Sequence, residues 1–473
     1  MRAIELLLPQ AFALIGGTLA VGFAFPPGRV GWLCALGYGY VVGQVFGAVA
    51  LYISGTLGVG VRFLPAAAIQ VVLCVMLAAV LRRAARGDAS VPHSVASLKL
   101  GRSGKWLAIF VAAVMLLRVV MLGLEATAQP LYPWDAWQQW GTKARVWFET
   151  GELKRFVSSE EWLQLSGATP GDAVYTDANP RYPPVVPLIQ VWSLGPTHTW
   201  DDSAIGLTWA ALLAALGAAM AGQLLRIAGY WPLALATAYA VISLPILDTH
   251  AALAGYADLP LSVMFCLAFM AAAAWVRFRR KGDAAVAILL LAFLPLFKRP
   301  GIVWALTFLP FLMFAVIRRP VRPMLRGVLV LAFVGAAALI VVHILGAHTA
   351  TLGDSVESLV ANLFAWENWH LLWYLAIVLL LLHRRRRWSN ELSVAGTTLG
   401  LGAAFLAAVF WGTSLSASIA DATTLNRAVL PLGPATCFFL ALLIQRDVLR
   451  LAAAPASEHG SRKPHARANG TVP

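Results

Sequence analysis

Charged residues are scarce in this chain: 12% of its 473 residues are Asp, Glu, Lys or Arg. A soluble protein of that length needs a far more polar surface, so the shortage excludes the soluble classes. Cysteine is scarce too. Cys34, Cys74, Cys266 and Cys437 each lie inside an apolar run, with no CxxC or CxxH spacing. That excludes a disulfide framework and a zinc ribbon. Short alternating apolar segments are missing, which argues against a membrane barrel. No internal repeat of the kind that marks many transporters is visible. The first apolar run, about 5–25, lacks a basic leader and a small-residue cleavage site, so it reads as a retained helix.

Apolar residues, in contrast, make up 60% of the chain, and its mean hydropathy is +0.74. Runs long enough to cross a ~30 Å hydrocarbon core recur from end to end. The formal charge of +14 could suggest nucleic acid, but its distribution excludes that partner. The cations sit in clusters between apolar runs: Arg82, Arg83 and Arg86; Arg277, Arg279, Arg280 and Lys281; Arg318, Arg319 and Arg322; Arg384 to Arg387. This is the positive-inside pattern, and it places those loops in the cytoplasm. The fold expected is an all-α polytopic membrane protein of about thirteen spans. They lie near 5–25, 31–53, 59–81, 106–124, 204–226, 231–247, 258–277, 284–297, 301–317, 326–345, 365–382, 391–412 and 428–447. Three domains follow: 1–105, three N-terminal helices and a basic loop; 106–450, a core; and 451–473, an Ala-, Pro- and Arg-rich tail expected to be disordered.

On this thread, 125–202 forms a large external loop with ten acidic residues against five basic ones. Asp135 stands between Trp134 and Trp137 where the chain leaves the bilayer. A helix is expected over 136–150, with Trp137, Trp140, Ala144, Trp147 and Phe148 on one face, lying flat at the interface. Asp135 suits the N-cap of that helix, and a capping carboxylate can still accept a further proton. Downstream, three prolines within Pro180 to Pro184 stiffen the return to the membrane and hold Asp177, Arg181 and Tyr182 there. Asp248, His250, Tyr256 and Asp258 cluster at another external turn, where Asp258 could cap the next helix. Lys298 and Arg299 lie on the external side against the positive-inside rule, and Arg427 opens the last span there. Such costly cations usually serve an anionic partner or a paired charge.

The ordered set resembles the type C glycosyltransferases, the superfamily of membrane enzymes that use polyprenyl-phosphate sugars. The resemblance covers about 106–445. It rests on Asp135 opening the first large external loop, the juxtamembrane helix, the Tyr182-Pro183-Pro184 turn, Asp258 after a later outward span, the Lys298 to Gly301 turn, and Arg427 before Leu430-Pro431 and Pro434. The chain is most similar to the protein O-mannosyltransferase and aminoarabinose-transferase branch. In the latter, Glu-Lys typically precedes Pro-Pro; here Arg181-Tyr182 stand in that place.

The resemblance implies transfer of a sugar from a polyprenyl-phosphate donor to an acceptor hydroxyl of a lipid, glycan or protein, at the external face. Asp135 and Asp258 are then the catalytic candidates, with Asp135 as general base. Lys298, Arg299, Arg427, Tyr182, Arg181, Lys143 and His250 are candidates for binding substrate. No cofactor is implied, although Asp135 and Asp258 could hold a divalent ion, as in the oligosaccharyl-transferase branch; the outer loops carry no DxD motif. The composition fits a bacterial plasma membrane. The other reading open to the sequence is a multi-pass transporter or flippase of a lipid-linked or polar substrate.

Overall fold

The computed structural model describes residues 2–88, 101–165, 174–317, 335, 352–385, 388–421 and 423–453. All but residue 335 of the expected span near 326–345, the Arg318–Arg322 cluster and most of the tail lie outside them. The described chain is almost wholly helical. Its one sheet pairs two two-residue strands in parallel, β1 (Phe156–Val157) and β2 (Tyr175–Thr176).

The helices, in chain order, begin with α1 (Arg2–Gly22), α2 (Arg29–Thr56), α3 (Phe63–Ala85) and α4 (Arg102–Thr127). A polar segment then carries a π-helical turn (Ala136–Gly141), α5 (Thr142–Thr150), α6 (Ser159–Leu165) and α7 (Val185–Leu194). After it come α8 (Gly206–Ala228), α9 (Trp231–Ile242), α10 (Pro245–Ala252), α11 (Asp258–Phe278) and α12 (Lys281–Phe297). The remainder is α13 (Gly301–Leu306), α14 (Leu309–Ile317), α15 (Leu352–Val360), α16 (Leu372–His383), α17 (Asn390–Gly412), α18 (Thr424–Val429) and α19 (Leu432–Ala453).

Among the described residues, seven helices are long and apolar enough to cross a membrane, or eight if α9 and α10, bent by 54° at their break, form one span. This is an all-α, multi-pass membrane architecture. Several expected spans appear as shorter or broken helices, for identifiable reasons. Pro245 starts α10, so the run near 231–247 breaks there. The run near 428–447 divides at Leu430-Pro431, between α18 and α19.

Burial sorts the helices by what they face. α11 is apolar all round, and 94% of its spanning stretch is buried among α8, α12, α17 and α19. A helix with no polar stripe belongs at the centre of a bundle. α4 is the opposite case: only 6% of its spanning stretch is buried, and it exposes Phe110, Leu116, Leu117 and Met121. In water such a surface would aggregate, whereas in a bilayer it meets lipid. α1 crosses α2 closely because the contact is built of small residues. A Cβ on Gly17 would lie 1.9 Å from the Gly39 carbonyl oxygen. α2 in turn packs on α7 and α8, and Tyr38 Oη donates to the Leu267 carbonyl of α11 at 3.0 Å.

Polar groups concentrate at the two ends of the bundle. At one end Arg226, in the last turn of α8, pairs with Asp283 at 2.8 and 2.9 Å, and Asp88 accepts from the N–H groups of Lys281 and Gly282 at the start of α12. His383 and Asp447 meet there at 2.9 Å. The other end holds the charged groups described next. The 21 residues of α11 separate the two zones. At 1.5 Å per residue that is about 30 Å, the thickness of a hydrocarbon core.

Candidate active site at the Asp135–Arg427–Asp258–Lys298 cluster

Four charged residues from four separate parts of the chain meet in one hydrogen-bonded row. Arg427 Nη2 donates to Asp135 Oδ2 at 2.5 Å, and Arg427 Nε donates to Asp258 Oδ2 at 3.0 Å. Lys298 Nζ donates to Asp258 Oδ1 at 2.8 Å. The Arg427 guanidinium also lies 4.4 Å from the centre of the Tyr256 ring. Two carboxylates and two cations cancel, which is what a partly buried cluster requires. Exposure differs along the row: the Asp258 side chain is 6% exposed and that of Asp135 is 33%. Both Asp258 oxygens are occupied, but Asp135 shows a bond to Oδ2 only.

Neither aspartate caps a helix, contrary to the capping role the sequence offered. At the π-helical turn the N–H groups of Ala136 and Trp137 bond to the Pro133 carbonyl, so the Asp135 carboxylate is left for Arg427. Asp258 is the first residue of α11, and its side chain makes no capping bond. An acid that does bond to a helix start is Asp421, two residues before Thr423, the N-cap of α18. It accepts from Thr424 N at 2.8 Å and Thr423 N at 3.0 Å at the start of α18.

The local sequence explains the convergence. Gly255 takes φ 94°, a left-handed conformation that suits glycine. A Cβ there would lie 2.9 Å from Ala136 Cβ, so the loop before α11 rests directly on the turn after Asp135. Ser262, one turn into α11, donates to the Leu430 carbonyl at 2.8 Å and ties Asp258's helix to Arg427's. Next to Arg427, Asn426 is buried in an amide network. Trp369 Nε1 donates to its Oδ1 at 2.9 Å, and its Nδ2 donates to Asn362 Oδ1 at 2.7 Å. Lys298 leaves α12 in an extended conformation, and Gly301 N bonds back to its carbonyl at 2.8 Å.

Gly301 has no room for a side chain. A Cβ would lie 2.0 Å from the Leu294 backbone oxygen. Gly301→Ala therefore forces α12 and α13 apart. The expected cost is about 1–3 kcal/mol, typical of overpacking, read as a lowered melting temperature. An unchanged melting temperature would show that the turn relaxes freely.

The other candidates fall into two groups. Tyr182 stacks flat on Trp140, with centroids 5.3 Å apart and planes at 7°, and Arg299 lies 5.5 Å from the Tyr182 ring centre. That stack adjoins the row through the Lys298–Arg299 peptide. Arg299 is exposed and, among the described residues, has no carboxylate partner. His250 is buried, its Nδ1 bonded to the Ile246 carbonyl at 2.8 Å. It lies within reach of the Asp258 and Arg427 charges. Lys143 is not joined to the row. It is 2% exposed, meets Asp177 at 2.5 Å and donates to the Asn179 carbonyl at 2.9 Å, bracing α5 against the loop before α7. Burial lowers its pKa below the ordinary lysine value, and Asp177 opposes that shift. Arg181 is exposed at its turn.

The expected apolar face of 136–150 forms in part. Trp140, Ala144 and Trp147 are buried, whereas Trp137 is 44% exposed. The π-turn is the reason: Thr142 N bonds to the carbonyl of Trp137, five residues back, and the wider turn rotates Trp137 off the face. Trp134 is 65% exposed and meets Trp137 edge to face, with ring centres 5.6 Å apart, so the pair stands on the surface beside Asp135.

No group of three or more His, Cys, Asp or Glu suited to a metal occurs among the described residues. A divalent ion between Asp135 and Asp258 would have to displace Arg427, which bonds to both. No family model, curated protein or solved structure matches the chain.

Proposed function

We propose that the chain is a membrane glycosyltransferase that moves a sugar from a polyprenyl-phosphate donor to an acceptor hydroxyl at the external face of a bacterial plasma membrane. The observation that carries this reading is the convergence of Asp135, Arg427, Asp258 and Lys298 at one end of the bundle, beside Arg299, which has no carboxylate partner among the described residues. On this reading the chain crosses the membrane about thirteen times, with α12, α13–α14, α16, α19 and the apolar run near 326–345 completing the set, and its basic loops face the cytoplasm.

The roles divide by geometry. Asp135 is the more exposed acid and has one oxygen without a bond, so it acts as general base. It takes the proton of the acceptor hydroxyl as that oxygen bonds to the anomeric carbon. The bond from that carbon to the phosphate oxygen breaks with its electron pair leaving on the phosphate, and the anomeric centre inverts. Asp258, with both oxygens bound, positions Lys298 and Arg427. Arg299 takes the donor phosphate, its guanidinium presenting a planar fork to two oxygens. Lys298 and Arg427 add their remaining N–H groups as charge grows on the leaving phosphate.

Arg299→Ala tests this division. Donor affinity is expected to fall about tenfold or more, the worth of a charge-assisted pair, with the melting temperature unchanged. Binding of a polyprenyl-phosphate sugar by fluorescence titration reads it. Unchanged affinity would remove Arg299 from the phosphate site.

One observation favours the second reading, a transporter or flippase. The α9–α10 break lies beside a charged pair: Arg118 of α4 reaches Asp248 at 3.1 Å and donates to the Ile242 carbonyl at 3.3 Å. Broken helices with polar partners mark many transport pathways.

A further inference from the structure

A second site lies away from the charged row. α1, α2 and α3 enclose an apolar cavity of about 930 Å³, lined along α1 from Leu8 to Gly22 and by Phe23 just beyond it. That stretch is about 22 Å long at 1.5 Å per residue, longer than the ~15 Å depth of one leaflet. Ile15, Leu19, Trp32 and Val75 line it and are exposed, so it opens sideways as a groove on the bundle's lipid-facing surface.

One end of the groove is basic. The Arg82 guanidinium lies 5.8 Å from the ring centre of Phe23, a lining residue. Arg83 follows it, and Arg86 lies at the end of α3. All three are exposed, and among the described residues none has a carboxylate partner. The acid that follows in sequence, Asp88, is already held by the N–H groups of Lys281 and Gly282. The groove also has one hydroxyl to offer. Thr18 is 5% exposed, lines the cavity and has no partner for its Oγ1. Five residues separate it from Phe23, about 7 Å of helix rise.

We propose that this groove binds an anionic bilayer phospholipid. An acyl chain fills the apolar trough, the phosphate lies among Arg82, Arg83 and Arg86, and the Thr18 hydroxyl donates to an ester carbonyl below the phosphate. Charge selects the occupant. Three uncompensated cations favour a lipid of net negative charge over a zwitterionic one, whose own ammonium would enter the same field. On the orientation set by the basic clusters, the lipid belongs to the cytoplasmic leaflet, where anionic headgroups face such residues.

The test uses the full chain purified in detergent and titrated with phosphatidylglycerol or phosphatidylcholine, with bound lipid counted by native mass spectrometry. The wild type is expected to retain one phosphatidylglycerol and to prefer it over phosphatidylcholine by about 100-fold, each of three cations contributing a factor of about five. The triple variant Arg82→Gln, Arg83→Gln, Arg86→Gln is expected to fold, because those side chains are exposed and unpaired, and to lose the preference. Ala78→Trp, which fills the groove, is expected to lose the retained lipid while keeping the three arginines. Equal retention of both lipids by the wild type would overturn the proposal, since it indicates a non-selective boundary lipid. So would displacement of phosphatidylglycerol by equimolar polyprenyl phosphate, or a lipid-free dimer that shields the groove.

Discussion

Asp135→Asn is expected to lower sugar transfer by about 10²- to 10⁴-fold, the contribution typical of a general base, while leaving donor binding intact. The side chain keeps its size and can still accept from Arg427 through its amide oxygen, so the row is preserved and only the proton acceptor is lost. Single-turnover assays with saturating donor separate these effects, because they read the chemical step independently of binding. Asp258→Asn is the informative contrast. Both of its oxygens hold cations, so this change disturbs Lys298 and Arg427 and is expected to lower donor affinity and melting temperature together. If Asp135→Asn keeps wild-type turnover, the general-base assignment is wrong.

Arg427→Ala has the larger expected effect on the fold. It leaves Asp258, 6% exposed, with Lys298 alone, and releases Asp135. Removing one cation leaves the row one negative charge in excess, which costs up to about 3–5 kcal/mol in a buried cluster. The melting temperature is expected to fall by several degrees and transfer to be lost. Arg427→Lys is expected to rescue neither, since an ammonium cannot reproduce the fork that donates to two carboxylates at once. The double variant Arg427→Ala with Asp135→Asn is expected to recover part of the stability, because Asp258 keeps Lys298 and the excess negative charge left at Asp135 is removed. If the double variant is no more stable than Arg427→Ala, the loss comes from packing against Tyr256 and not from charge.

Much of the architecture was legible from hydropathy because a bilayer imposes a length on apolar runs. α2, α8, α11 and α17 fall where the apolar runs place them. Breaks were harder to read. The run near 231–247 is apolar throughout, yet Pro245 divides it, and the same holds at Pro431. Of the candidate site, Asp135, Asp258, Lys298 and Arg427 were found because charge at a membrane boundary is conspicuous. Their pairing was not readable, since it depends on Gly255 lying against Ala136 and on Ser262 binding Leu430, both tertiary contacts. The Asn362–Asn426–Trp369 network was missed altogether. Its only signal was the position of Asn426 beside Arg427 in a short polar interruption. Lys143 stood as a substrate-binding candidate because its helical position said nothing of Asp177, which arrives from a loop 34 positions on.

The central claim is that the Asp135–Arg427–Asp258–Lys298 row performs chemistry on a lipid-linked sugar. The most direct measurement is made on the purified chain in proteoliposomes carrying a panel of polyprenyl-phosphate sugars and candidate acceptors, with release of free polyprenyl phosphate followed over time. The account predicts release with at least one donor by the wild type, and none above background by Asp135→Asn. If no donor is consumed, but a lipid-linked sugar crosses the bilayer intact, the chain is a transporter and the row is part of its path.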